Sequence, residues 1–247
     1  DTNGVDTLAY RGFLEFDYDD FNILVNVHGA TVDSQVTSAS PLGSLKPDGS
    51  GAPCSVEMIM AKQCVDLFGY QAPSDPHKGN YNNTQDIDLD AIGGYIEVNY
   101  DFNDYTLTSI TAYDDLDRFI PEETDSSPTS FLELHYGTTS ETFSQEFRLA
   151  GGDKESNWLF GVFYLKEELK QNQTADVFRE FRAFTDGLSD PTGATVGAPI
   201  VFNRTQNAQD IESYATFGQY SYNLSDQTTL TLGARYTEEE REFKALS

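Results

Sequence analysis

Basic residues are scarce in this sequence. Fifteen lysines and arginines stand against 41 aspartates and glutamates, which gives a formal net charge of −26. Binding to the phosphate backbone of a nucleic acid needs lysine and arginine to displace counterions, so this composition argues against a nucleic-acid partner. It argues equally against docking on an anionic membrane surface.

Long apolar runs are also missing, which excludes a transmembrane helix. The first ten residues, DTNGVDTLAY, have neither the basic nor the apolar region of a signal peptide. The chain is nevertheless 38% hydrophobic and 13% aromatic, more than disordered chains carry. A transmembrane β-barrel stays open, because its strands are short and alternate between apolar and polar residues.

That alternation is the main pattern present. Apolar residues recur at every second position in segments of about ten residues, the length of a strand that crosses a bilayer at a tilt. Eight such segments pair into four hairpins with short turns: 8–18 with 21–33, 92–102 with 105–113, 142–150 with 158–168, and 213–224 with 228–239. The sequence therefore predicts an all-β, antiparallel fold.

The connections between hairpins are long and polar, at about 34–91, 114–141 and 169–212. Short turns alternating with long loops are typical of an outer-membrane barrel, where the long loops are extracellular. Aromatic residues near the strand ends fit interfacial girdles: Phe16, Tyr18, Phe21, Tyr100, Phe102, Tyr105, Trp158, Tyr220 and Tyr222. The alternative is a soluble acidic β-sandwich whose aromatic residues pack a core.

This topology places both chain ends outside the cell, whereas a complete barrel keeps them in the periplasm. We therefore expect residues 1–247 to be one part of a single β-barrel domain, an arc cut from a larger wall.

Four stretches resemble the barrel of TonB-dependent outer-membrane receptors. They are DIDLDAIGGYIEVNYDFNDYTLTSITAYDD (86–115), TFSQEFRLAG (142–151), NWLFGVFYLKEE (157–168) and SYATFGQYSYNLSDQTTLTLGARYTEEEREF (213–243). The resemblance implies a barrel of about 22 strands with a plugged lumen. The sequence has no plug domain, no energy-coupling box and no C-terminal strand that ends in an aromatic residue.

The resemblance implies a receptor in the outer membrane of a Gram-negative bacterium. Its function would be energy-coupled uptake of a scarce nutrient, such as an iron–siderophore complex. Outer-membrane lipid would surround it, and a TonB-type inner-membrane protein would act on it through the plug. A passive channel or a structural surface barrel is the alternative function.

No catalytic residues are predicted. A Gly-x-Ser-x-Gly nucleophile motif is absent, and acid–base pairs cannot be assigned among 41 carboxylates, so the protein is not expected to be an enzyme. On the polar side of the strands, Glu97, Arg148 and Arg235 are predicted to face the lumen. They form either a structural charge ladder or a guide for ligand.

The two cysteines, Cys54 and Cys64, lie in the first long loop and are close enough in sequence to close a local disulfide. Residues 54–70 have a loosely helical pattern. Residues 174–184 predict either a second loop helix or an extension of the third hairpin.

Metal ligation has weak support. Asp86, Asp88, Asp90 and Glu97 have the spacing of a calcium-binding EF-hand loop, but Ala91 stands where that loop needs glycine. The three histidines, at positions 28, 77 and 135, share no ligand spacing. We predict no resident cofactor, with calcium bound loosely by the loops as the alternative.

Overall fold

The computed structural model describes residues 4–35, 41–75, 78–83, 85–177 and 201–246. Eight antiparallel strands form one sheet in chain order, which confirms the predicted all-β fold and its four hairpins. The strands are β1 (Val5–Tyr18), β2 (Phe21–Gln35), β3 (Asp86–Phe102), β4 (Tyr105–Glu123), β5 (Leu132–Gly152), β6 (Ser156–Val177), β7 (Val201–Ser225) and β8 (Thr228–Leu246). Helix α1 (Val56–Met60) lies in the connection between β2 and β3.

Short polar turns fix the hairpins. Asp19 and Asn103 each begin a two-residue turn with a positive φ, 47° and 53°. Aspartate and asparagine tolerate this left-handed backbone better than most residues. In the β5–β6 turn, Asp153 Oδ1 accepts hydrogen bonds from the backbone N–H of Glu155 and Ser156, at 2.8 and 2.9 Å. These turns set the register of each hairpin.

The strands are longer than the alternation predicted. β4 continues to Glu123 and β5 begins at Leu132, so both reach into the loop predicted at 114–141. β6 likewise runs to Val177, which makes residues 174–177 an extension of the hairpin; residues 178–184 lie outside the described residues. Backbone pairing continues here although the apolar alternation stops.

The sheet has two chemically different faces. The apolar face carries Val98 and the residues paired beside it, such as Ile23 and Phe147; the polar face carries Glu97 and its row. Large apolar side chains are exposed on the apolar face: Leu14, Phe16, Ile96, Phe147, Phe160, Val162, Leu232 and Tyr236. Asn26, Ser213 and Ala215, on the polar face, are buried. The sheet therefore curves around its polar face.

The apolar residues form an oblique band across the strands. On β8 the band ends at Tyr236, before Glu238, and the register places Tyr236 in the same row as Phe16 of β1. On β1 the band continues about eight residues further, to Leu8. At a rise of about 3.3 Å per residue and a strand spacing of about 4.8 Å, this offset corresponds to a tilt of about 38°. Strands of β-barrels tilt by about 35–45°.

Aromatic rings line both limits of the band. At the limit near the short turns, Phe21 stacks on Tyr100 at 4.5 Å between centroids, and Tyr105 contacts Trp158 at 5.9 Å. At the opposite limit, Tyr164 contacts Tyr214 at 5.0 Å and Phe143 at 6.3 Å. Two aromatic girdles around an apolar band are the pattern of a lipid-facing surface.

Candidate functional site on the polar face and the outer loops

Arg235 and two phenylalanines form a cluster on the polar face. The Arg235 guanidinium lies 5.4 Å from the centroid of the Phe217 ring and 5.6 Å from that of Phe163. Its Nε donates a hydrogen bond to Thr237 Oγ1 at 3.1 Å. Both ring distances are within the range of a cation–π contact.

The absence of a side chain at Gly161 leaves room for the Phe217 ring. The ring leans over Gly161, where a Cβ atom would lie 2.2 Å from Phe217 Cζ. On the other side of Gly161, in the same row of paired residues, is Arg148. Its Nε contacts Glu146 Oε1, and the Glu146 side chain is only 15% exposed.

Arg148 and Arg235 line one open cleft of about 460 Å³ together with Phe217 and Gln219. The predicted pair therefore shares one face and one cleft. Arg148 is neutralised by its neighbour, whereas no carboxylate among the described residues forms an ion pair with Arg235. An anionic group in this cleft would meet the free guanidinium edge of Arg235.

Glu97 lies on the same face, in a ladder of amides and hydroxyls. Asn99 Nδ2 donates to Glu97 Oε1 at 2.9 Å, and Thr108 Oγ1 donates to Asn99 Oδ1 at 2.6 Å. On β2, Asn22 Nδ2 donates to Glu15 and Asp17 at 2.9 and 2.8 Å. Near the short turns, the polar face therefore carries carboxylates and amides on β1–β3, and two arginines with two phenylalanine rings on β5–β8.

A histidine–aspartate pair, which the sequence analysis did not anticipate, crosses this face. His28 Nε2 lies 2.9 Å from Asp114 Oδ1, and His28 Nδ1 lies 2.8 Å from Asn26 Oδ1. Gly93 sits between His28 and Asp114 in the sheet, and a Cβ there would lie 2.1 Å from Asp114 Oδ1. His28 and Asp114 are 86 residues apart, so no spacing in the sequence predicts their contact. The glycine at position 93 is the one sequence feature that allows it, because any larger residue would fill the space between them.

The long connection between β2 and β3 has its own crosslink. Cys54 and Cys64 form a disulfide, with Sγ atoms 2.13 Å apart. Helix α1 covers only Val56–Met60 of the loosely helical segment, and Ser55 Oγ accepts the Met58 N–H at its start. Val56, Met60 and Leu67 are exposed, and Phe68 contacts Phe131 of the β4–β5 loop.

The carboxylates with EF-hand spacing do not surround a common point. Asp86, Asp88 and Asp90 alternate along β3 and share one face, whereas Glu97 lies on the other. Within the described ranges, no group of three His, Cys, Asp or Glu side chains could hold a metal ion. Calcium binding by the loops remains an expectation from the sequence.

No helix in the described part of the chain is both long and apolar enough to cross a membrane.

Comparison with known proteins gives one family and several structures. The model of the family described as "TonB dependent receptor-like, beta-barrel" matches residues 11–245. The ferric yersiniabactin uptake receptor FyuA from Yersinia pestis is 12% identical, with a TM-score of 0.63, over 99% of this chain and 31% of that one. In a complex of FpvAI with pyocin S2, the matched chain is 14% identical, with a TM-score of 0.59, over 98% of this chain and 32% of that one.

A third similar structure is BauA, the ferric preacinetobactin receptor from Acinetobacter baumannii. It is 10% identical, with a TM-score of 0.50, over 97% of this chain and 34% of that one. At these identities the likeness concerns the fold alone. The chain spans about a third of the length of the structures that it matches.

Proposed function

This chain belongs to the TonB-dependent receptor-like β-barrel family, and on that premise we propose that it forms part of an outer-membrane receptor for energy-coupled nutrient uptake. The observation that carries the proposal is the family match over residues 11–245. The family consists of receptors and not of enzymes, in agreement with the absence of a catalytic motif from the sequence.

The band and its girdles support an outer-membrane location. The apolar face would contact lipid, and the polar face would line the lumen with Glu97, Arg148 and Arg235. The tilt of about 38° fits this arc into a larger wall, since strand tilt and stagger are linked in closed barrels.

An iron–siderophore complex is the ligand class we propose. FyuA and BauA, which share the fold, are named for ferric siderophores. The cleft at Arg148 and Arg235 offers a cation and aromatic rings on the lumen side, which suits anionic or aromatic iron chelators.

Coupling would require a TonB-type inner-membrane protein acting on a plug inside the barrel. Such coupling needs an element with two states, which both ligand and partner bias. A barrel wall alone has no such element, so this step belongs to the whole protein.

Transport of radioactive iron by cells that carry the full-length receptor tests the proposal. We expect uptake of a ferric siderophore that stops when the proton-motive force is collapsed or the TonB-type protein is deleted. Uptake that continues under both conditions would indicate a passive channel. Absence of iron uptake with a broad siderophore panel would reject the ligand class.

A further inference from the structure

Two outer loops meet beyond the membrane band. Segment 81–83, at the end of the β2–β3 connection, packs on the β4–β5 loop, residues 124–131. The Asn82 N–H donates to Ser127 O at 3.1 Å, and Asn82 Nδ2 donates to Ser130 Oγ at 3.2 Å and to Glu133 Oε1 at 3.0 Å. We call this contact the loop junction.

One buried carboxyl group bonds both sides of the loop junction. Glu123 Oε2 accepts the Asn83 N–H at 2.9 Å, and Oε1 accepts the Ser126 N–H at 2.9 Å. The Glu123 residue is 6% exposed. It lies ten residues beyond Tyr113, where the apolar band ends on β4, and is therefore outside the membrane-spanning part.

In the part of the chain that the structure describes, the charged groups next to Glu123 are acidic. Asp125 lies within hydrogen-bonding distance of its carboxyl group, and Glu133 is its paired neighbour on β5. Asp125 also accepts the N–H groups of Ser127, Phe131 and Leu132, which holds it in place. Among the described residues, no lysine or arginine forms an ion pair with Glu123.

Burial and the neighbouring Asp125 raise the pKa of Glu123 to about 7, although the N–H groups of Asn83 and Ser126 lower it. A raised pKa means that the closed junction binds a proton more tightly than the open one. The stabilisation is fully present below the ordinary value of 4.5 and is lost as pH rises through about 7.

We propose that the buried Glu123 carboxyl group holds a proton beside Asp125, and that this proton keeps the two outer loops closed on each other. Loss of the proton leaves a buried Glu123 carboxylate next to Asp125, where desolvation and repulsion favour opening to water. The β2–β3 connection, which carries the Cys54–Cys64 disulfide, then loses its hydrogen bonds to the β4–β5 loop at 81–83. This inference goes beyond the proposed function and does not depend on the ligand.

Two polar atoms at the loop junction favour its opening. Asn82 Oδ1 and Asn83 Nδ2 are buried without a hydrogen-bond partner. Each such group carries a desolvation cost that opening to water would remove.

Hydrogen exchange of the full-length receptor at pH 6 and pH 8 tests this inference, after correction for the intrinsic pH dependence of exchange. With the pKa of Glu123 near 7 when closed and 4.5 when open, we expect the closing equilibrium at Asn83 and Ser126 to fall about tenfold. Glu123→Gln should abolish this pH dependence. Glu122→Gln, at the exposed neighbouring residue, should retain it.

A second variant covers the case in which Glu123→Gln opens the junction at every pH. Asp125→Asn removes the neighbouring charge that adds to the effect of burial in raising the Glu123 pKa, so the pH midpoint of closing should move downward. A wild-type junction equally protected at both pH values, or an unchanged midpoint in Asp125→Asn, would overturn the inference.

Discussion

The apolar band and the strand extensions, which are the parts of the strands beyond the band on the side of the long connections, have the same backbone pairing. They differ in which side chains each face accepts. We refer to the side of the long connections as above the band. Inside the band, Val98 lies on the apolar face and Glu97 on the polar face, so a one-residue register shift would place charge on the apolar face. Above it, the apolar-face positions of β4 become Asp115 and Asp117, and the ladder to β5 continues unbroken. In the proposed outer-membrane location, lipid on one side would enforce alternation, whereas water on both sides would leave only backbone pairing and contacts between loops.

Among the substitutions that test this difference between the band and the strand extensions, Val98→Arg should have the largest effect on stability. Val98→Arg puts a charge on the apolar face within the band, and we expect a loss of about 2–4 kcal/mol in unfolding free energy. Urea unfolding of the full-length receptor in lipid vesicles measures it. Asn99→Arg on the polar face should cost much less, and so should Thr139→Arg, which lies on the same face as Val98 but above the band. Equal losses at Val98 and Thr139 would show that the band is misplaced.

The disulfide should stabilise only the outer region. Mass spectrometry without reductant should find a peptide that joins Cys54 to Cys64. Replacing both cysteines by serine should lower the local unfolding free energy of the β2–β3 connection by at most about 2.7 kcal/mol, the loop-closure value for a ring of this size. Limited proteolysis should then cut within 41–75, while the sheet stays resistant. Two free thiols in fresh protein would remove the prediction.

Alanine substitutions at two glycines compare side-chain packing within the band with packing on the strand extensions. Gly161→Ala drives a methyl group into the Phe217 ring, and overpacking of this kind costs about 1–3 kcal/mol. Gly137→Ala, on the extension of β5, meets its nearest atom at 3.7 Å, and we expect little change. Thermal unfolding of both variants decides the comparison. A tolerated Gly161→Ala would mean that the ring can move aside at little cost.

The smallest expected effect concerns the flat guanidinium of Arg235. Arg235→Lys keeps the charge but loses the stacking on two rings, a loss of about 1 kcal/mol. Arg241, which lies higher on β8, is 62% exposed and forms an ion pair with Glu239 at 2.6 Å. Arg241→Lys should change stability by less than about 0.5 kcal/mol. Equal effects in denaturant titrations would assign Arg235 a surface role.

The structure of the band and of the short turns below it could largely be predicted from the sequence. The hairpins, their turns at Asp19 and Asn103, and the shared face of Glu97, Arg148 and Arg235 all follow from a period of two residues. The strand ends were underestimated, because Asp117 and Thr139 give no alternation to follow. The alternation predicts that both arginines of the candidate cleft share the polar face. It does not predict that the Phe217 ring lies beside Gly161 in the same cleft.

The sequence by itself determined which residues share the apolar face, since alternation along a strand fixes both faces once one residue is placed. Only the tertiary structure decided which distant groups meet. His28 reaches Asp114 because register places Gly93 between them, and Glu123 becomes buried because segment 81–83 folds over it. Such contacts depend on register and loop packing across many residues. The face of the sheet on which a side chain lies depends only on its neighbours in the chain.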